Sequence, residues 1–223
     1  MLVIAHRGAS GEFAENTLAA FSAACGQGAD MIELDIHQTA DGKLVVRHDS
    51  HFDDGTDISE LSCAEVMARA EAMGIRMPLL DQALDCITAS GVKVNIEIKQ
   101  LSDLSLIDDV IKKYGYENIL FSSFNHPVIA QLKKNHPYIE AGTLMVSRLL
   151  DHMSAAASLN SDIIIQHCGS ADQEFVDMVH GSGRRIYVWV VNHARDIKHF
   201  MDMGVDGIFT DYPARARSIA DAA

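Results

Sequence analysis

The chain alternates short runs of apolar, often β-branched residues with longer stretches whose apolar positions recur every three to four residues. That is the pattern of strands and helices in a parallel α/β protein. Nine runs read as strands: LVIA from Leu2, MIELDI from Met31, LVVR from Leu44, VNIEI from Val94, ILFSSF from Ile119, AGTLM from Ala141, DIIIQH from Asp162, RIYVWVV from Arg185 and GIFTD from Gly207. Eight would build a (β/α)8 barrel, and spacing identifies the odd one. Only HQTADGK separates IELDI from LVVR, too little for the crossover of about a dozen residues that joins parallel neighbours, whereas Asp41-Gly42 favours a tight turn. Leu44 to Arg47 is therefore expected to return antiparallel along the second strand, and a two-residue turn would bring His48 back to the level of Asp35.

The intervening segments suit helices. NTLAAFSAACGQG has Asn16 as its expected N-cap, Leu18, Phe21 and Ala24 or Cys25 on one face, and glycines at its end. LLDQALDCITASG, SLIDDVIKKYG, HPVIAQLKKNHP and QEFVDMVHGSG follow the same logic. The expectation is an α/β (β/α)8 TIM barrel over residues 1–223 as a single domain, with a β-hairpin and a small insertion after strand 2 at about 49–77. A chain of 223 residues without a Pro-, Gly- or Ser-rich linker suits one such unit.

Composition narrows the function. With 48% hydrophobic and 22% charged residues the chain is neither disordered nor membrane-like. Its 18 basic and 31 acidic residues give a net charge of -13, which repels a phosphate backbone at long range. Nucleic acid is not an expected partner, although a local positive pocket can still hold a small phosphate ester. Cys25, Cys63, Cys86 and Cys168 lie far apart with no C-x-x-C pair, as in reduced packing residues of a cytoplasmic protein. The opening MLVIAHRG has no basic n-region, and no apolar run is long enough for a membrane span, so neither export nor membrane insertion is expected.

In a barrel, catalytic groups gather at the C-terminal strand ends. The polar residues there are His6 and Arg7, Glu33 and Asp35, Glu97 and Lys99, Ser122 and Ser123, His167, Trp189 and Asn192, and Thr210 and Asp211. In IELDI the acids are two apart, so both point to one strand face with Cα atoms about 7 Å apart; Glu97 and Lys99 share a face likewise. An inward carboxylate trio of Glu33, Asp35 and Glu97 calls for a neutralising cation, and an all-oxygen set suits a hard divalent ion, Mg2+ or Ca2+. A lone E-x-D more often faces solvent or pairs with a base, but the apolar flanks and Glu97 favour the inward arrangement.

Two of the 11 histidines, His6 and His48, follow apolar strands and adjoin charged residues, as an acid/base pair would. His126, His136, His152, His180 and His199 read as surface or packing residues, His37 is expected to alternate away from Asp35, and His167 is a weaker candidate. Arg7 and Lys99 supply positive charge for an anion, with an ion pair to Glu97 or Asp35 as the plainer role of Lys99. Ser122 and Ser123 have no partner set that would activate a nucleophile and read as hydrogen-bonding strand ends. No phosphate-binding P-loop and no G-x-S-x-G elbow occurs.

Taken in order, AHRG, AENT, IELDI, DGKLVVRHD, IEIK, WVVN and GVDGIFTDYP resemble the glycerophosphodiester phosphodiesterase family from about residue 3 to 214. The resemblance implies a TIM barrel and metal-dependent hydrolysis of glycerophosphodiesters to sn-glycerol 3-phosphate and an alcohol. It implies His6 and His48 as the acid/base pair, Glu33, Asp35 and Glu97 as ligands of a divalent cation, Arg7 and Lys99 as phosphate-binding residues, and Trp189 on the glycerol side of the pocket. The chain departs from the family in Ala14, which replaces a proline and should loosen the start of the first helix. The short acidic SHFDDGTDISELSCAEV and Asp81 are further departures. Two rival readings are a lysophospholipase D-like or other phosphodiesterase of the same superfamily, for which the acidic chain offers little to an anionic bilayer, and a non-catalytic binder of a phosphate ligand, which would need no acid/base pair.

Overall fold

The computed structural model describes residues 1–148 and 159–222. Nine strands form among the described residues: β1 Leu2–Ala5, β2 Met31–Gln38, β3 Leu44–Val46, β4 Lys93–Gln100, β5 Ile119–Ser123, β6 Glu140–Met145, β7 Ile163–His167, β8 Arg185–Trp189 and β9 Gly207–Thr210. All but β3 are parallel and close on one another, β1 pairing with both β2 and β9. The result is an eight-stranded barrel with β3 outside, antiparallel to β2.

Helices cover the barrel, among them α1 Leu18–Gly26, α2 Cys63–Ala72, α3 Leu80–Thr88, α4 Ser105–Tyr114, α5 His126–Asn135, α6 Gln173–Gly181, α7 Ala194–Asp202 and α8 Pro213–Asp221. Of these, α2, α7 and α8 lie outside the helical segments expected from the sequence. A short 3-10 turn at Ile58–Glu60 precedes α2, and together they fill the stretch between β3 and α3. Phe52, Ile58, Val66, Ala70 and Met77 form a small core of their own there against Val45 of β3.

Burial on both strand faces explains the unbroken apolar runs. Ile32, Leu34 and Ile36 of β2 face outward against Phe21 of α1 and Leu84 and Ile87 of α3. The barrel interior is plugged by Ile4, Met31, Leu120, Leu144, Ile163, Ile165, Tyr187 and Phe209. One residue pair further along β2 and β4 the same inward face turns polar, and that change makes the site.

Two local expectations are corrected. Thr17, not Asn16, caps α1: its hydroxyl accepts from the Ala20 N–H at 3.2 Å and donates to the Ala14 carbonyl at 2.7 Å. The Ala14 carbonyl is thus held, and the loop keeps a defined shape without a proline. The hairpin loop is one residue longer than a two-residue turn, since Thr39 N–H donates to the Lys43 carbonyl at 2.9 Å. The Asp41 carboxylate in that loop accepts from Thr39 Oγ1 at 2.7 Å and from the Cys63 N–H at 2.8 Å, tying the turn to the start of α2. The register still serves His48 as expected, because Arg47 N–H donates to the Asp35 carbonyl at 3.1 Å.

Candidate active site

Strand alternation sends Glu33 and Asp35 into the barrel mouth, and the β2–β4 register sets Glu97 directly beside Asp35. All three are buried, and one oxygen of each lies within 4.8 Å of the others. Packing three carboxyls together out of water disfavours their charged forms. Burial, then the charges of Asp35 and Glu97, push the Glu33 carboxyl well above the usual carboxylate range. Burial and Asp35 raise Glu97 to about 7.

Glu33 Oε2 accepts the Arg7 N–H at 2.8 Å, while its Oε1 is buried without a hydrogen-bond partner. An all-oxygen trio with a buried free acceptor fits a hard divalent cation, and among the described residues it is the one such cluster.

Two basic side chains hold the trio from its flanks. Lys99 Nζ bonds Glu97 and lies 3.2 Å from Asp35 Oδ1. Arg7 Nε lies 3.3 Å from Asp35 Oδ2, and its Nη1 donates to both oxygens of Glu15 at 3.0 and 2.8 Å. Burial works to discharge both bases, but the carboxylates outweigh it, Asp35 most, and raise the pKa of each.

The backbone that carries Arg7 is strained. Arg7 and Asn16 have φ of 57° and 56°, a left-handed conformation that costs a non-glycine residue about 1 kcal/mol or more. The Asn16 N–H donates to the Arg7 carbonyl at 3.0 Å. Its side-chain amide donates to Asp35 Oδ2 at 2.7 Å and accepts from the Asp35 N–H at 3.3 Å. Between them sits Gly8 at φ 83°, where a Cβ would lie 2.7 Å from the Ala20 backbone; glycine lets the loop press against α1.

Both candidate histidines are held through Nδ1 by a carboxylate. His6 Nδ1 is 2.8 Å from Asp211 Oδ1, and His48 Nδ1 is 2.8 Å from Asp49 Oδ1. A carboxylate at Nδ1 orients an imidazole and leaves Nε2 as its working nitrogen. Asp211 is itself fixed by Ser10 Oγ at 3.0 Å and Asn192 Nδ2 at 2.6 Å. Burial alone would raise the Asp211 carboxyl, but hydrogen bonds from His6, Asn192 and Ser10 hold it below the usual range.

His37 does not point away from the site. Residues two apart share a strand face, so 33, 35 and 37 go inward together; His37 is buried and its Nε2 donates to the His48 carbonyl at 3.0 Å. Burial lowers its pKa, which keeps a neutral ring bracing the His48 backbone.

Trp189 stands half-buried at the end of β8. Its ring meets His167 edge-on at 5.0 Å and Phe124 at 5.6 Å, and Lys99 Nζ lies 5.8 Å from the Phe124 ring centre. This makes an aromatic flank continuous with the charged cluster.

Ser123 Oγ donates to the Ile98 carbonyl at 2.7 Å, and the buried Ser122 makes no bond to a base. His126, His136 and His180 bond the Leu144 carbonyl, Asp108 and Asp206, and His199 meets Phe200 edge-on. His152 lies outside the described residues.

The mouth of this barrel gathers a buried carboxylate trio with Arg7 and Lys99 against it, and His6 and His48 follow strands β1 and β3 at the same end, the arrangement of an enzyme site at the C-terminal face of a barrel. The chain belongs to the Glycerophosphoryl diester phosphodiesterase family, whose model matches residues 6–215. A Glycerophosphodiester phosphodiesterase of Caldanaerobacter subterraneus subsp. tengcongensis is 33% identical, the match covering 95% of this chain and 94% of the relative. Lysophospholipase D GDPD1 of Homo sapiens is 25% identical over 96% of this chain and 84% of its own. Among solved structures, an Oleispira antarctica phosphodiesterase in complex with the product sn-glycerol-3-phosphate superposes with a TM-score of 0.89 at 26% identity, covering 99% of this chain and 97% of that one.

Proposed function

We propose that the protein hydrolyses glycerophosphodiesters to sn-glycerol 3-phosphate and an alcohol, with a divalent cation on Glu33, Asp35 and Glu97. The carrying observation is the carboxylate trio within 4.8 Å; His6 and His48, each held at Nδ1 by an acid, support the proton-transfer roles. When bound, the cation supplies positive charge against the phosphoryl oxygens.

Arg7 and Lys99 bind the remaining phosphoryl oxygens, Arg7 aimed by Glu15 and Lys99 by Glu97. Trp189 lines the side that takes the glycerol. His6 and His48 move protons at Nε2: one accepts the proton of the adjacent glycerol hydroxyl as it attacks phosphorus, and the other donates to the departing alkoxide. The P–O bond to the alcohol breaks as the bond to the glycerol oxygen forms, giving a cyclic phosphate. Water then opens the ring with the two proton roles reversed. An attacking hydroxyl already tethered to the phosphate carries a large proximity advantage, so no side-chain nucleophile is required. Asp211 acts as a positioning residue through His6. The four free cysteines support a reducing, cytoplasmic setting, and no described helix is long and apolar enough to cross a membrane.

The test is incubation with glycerophosphocholine and glycerophosphoethanolamine under Mg2+, Ca2+ or chelator, with sn-glycerol 3-phosphate and alcohol measured. Turnover that persists in chelator removes the cation assignment. Binding without turnover would make the protein a phosphate-ligand binder.

A further inference from the structure

Two cavities meet at His48. One, of about 660 Å3, is polar and lies over the end of β4, lined by His37, His51, Asp57, Lys99 and Gln100 as well as His48. The other, of about 800 Å3, runs outward between the start of α1 and the return from the insertion, reaching from Asn16 and His48 to Leu18, Ile75 and Met77. The mechanism uses its inner end and leaves its outer length without a role.

That outer length is mostly apolar, with Arg76 and Gln82 as the polar side chains along it. Leu18 and Ile75 are 39% and 36% exposed and line the groove with Ala14, Val46, Met77 and Pro78. Ile75 is held in place by backbone. Gly74, at φ 72°, ends α2 in a Schellman motif, with Gly74 N–H donating to the Glu71 carbonyl at 2.9 Å and Ile75 N–H to the Ala70 carbonyl at 2.8 Å. A rigid apolar side chain facing water beside a reaction centre is a ready contact for an apolar ligand. The charged residues at the inner end are already engaged, Glu15 by Arg7 and Asp49 by His48, so they offer little to a cationic head group.

We propose that this groove receives the leaving alcohol, and that it selects glycerophosphodiesters whose alcohol carries an apolar chain. The inference rests on the phosphodiesterase reading above. His48 at the inner end then faces the departing oxygen, while His6, bonded to Asp211 and through it to Asn192 just beyond Trp189, serves the glycerol side.

The experiment measures kcat/KM for glycerol 3-phosphate esters of ethanol, butanol and octanol, with glycerophosphocholine and lysophosphatidylcholine beside them. The octyl ester is expected to exceed the ethyl ester by about ten-fold or more, since apolar contacts discriminate by added methylenes. Ile75→Asp and Leu18→Asp should erase that preference, bringing the octyl ester down to the rate of the ethyl ester. Ile75→Ser and Leu18→Ser serve if the charged variants fold poorly, and the chain-length series in the parent protein needs no variant.

Equal rates along the series, with glycerophosphocholine still hydrolysed, overturn the groove assignment and spare the phosphodiesterase reading. Lysophosphatidic acid released from lysophosphatidylcholine in a manner abolished by Ile75→Asp overturns it differently, placing an acyl chain of the glycerol arm in the groove. No turnover of any diester overturns both readings.

Discussion

Each proposed catalytic imidazole is one half of a histidine–carboxylate pair, and the two pairs differ in a way that predicts different sensitivities. Asp211 is half-buried and carries bonds from Ser10 and Asn192 as well as His6, whereas Asp49 is largely exposed and bonds His48 from the next position along the chain. His6→Ala and His48→Ala are each expected to lower kcat by about 10²-fold or more, the size of a lost general acid or base; near-full activity in both would sink the assignment. Asp211→Asn should cost less than removing His6 and should displace the pH–rate profile, because it changes the charge facing the imidazole while keeping the shape. A loss of rate with an unmoved profile would make Asp211 structural. Asp49→Asn, in water, should do less. Asn16→Ala, by freeing the Asp35 carboxylate, should weaken Tb3+ or Ca2+ binding measured by luminescence or calorimetry by about ten-fold. Asn before an apolar run ordinarily caps a helix, which is the local pattern at Asn16; its left-handed φ and its hold on Asp35 are set by tertiary contacts that no local pattern encodes.

At the scale of elements, two loops build the site, and each was legible to a different depth. The hairpin was readable because seven residues cannot make a parallel crossover, and the return of His48 to the level of Asp35 followed from that together with a tight turn, whose length the structure extends by one residue. The inward set on β2 was readable by alternation, and His37 belonged to it by the same rule. The expected barrel already implied that β9 closes beside β1; what no pattern showed was the particular bond that closure makes, Asp211 to His6 across 205 positions of sequence, because side-chain pairing of this kind is a property of the barrel and not of any segment. The β1–α1 loop has its own prediction. Gly8→Ala would place a Cβ 2.7 Å from Ala20 at a φ of 83°, so two penalties coincide. A loss of about 1–3 kcal/mol is expected, which for a chain of this size lowers Tm by several degrees. Because Arg7 adjoins the shifted backbone, KM for the diester should rise together with that loss. An unchanged Tm would show that the loop accommodates the methyl group.

For the molecule as a whole, the barrel spends stability on its mouth, and pH reads out how much. Glu97 is raised to about 7 from an ordinary 4.5, and Glu33 is raised in the same direction. Between those values the unfolded chain has released a proton that the folded, metal-free protein still holds. The folded state therefore binds more protons than the unfolded state, and its stability falls as pH rises from about 4.5 to 7. This is opposite to a salt-bridged carboxylate of lowered pKa, whose stabilisation is lost on acidification. The net charge of -13 adds self-repulsion of the same sign over part of the range, so the parent profile alone does not isolate the site. Glu97→Gln does, because it keeps the side chain and removes its titration: thermal melts in chelator should give a flatter decline for the variant than for the parent between pH 5 and 7. Added Ca2+ or Mg2+ supplies the missing positive charge in place of those protons. Its stabilisation of the parent should be small near pH 5, where protons compete for the carboxylates, and should grow to a shift of several degrees by pH 8, with Glu97→Gln losing most of it. A metal-induced shift that is the same at pH 5 and pH 8, or the same in the variant, would place the cation somewhere other than Glu33, Asp35 and Glu97.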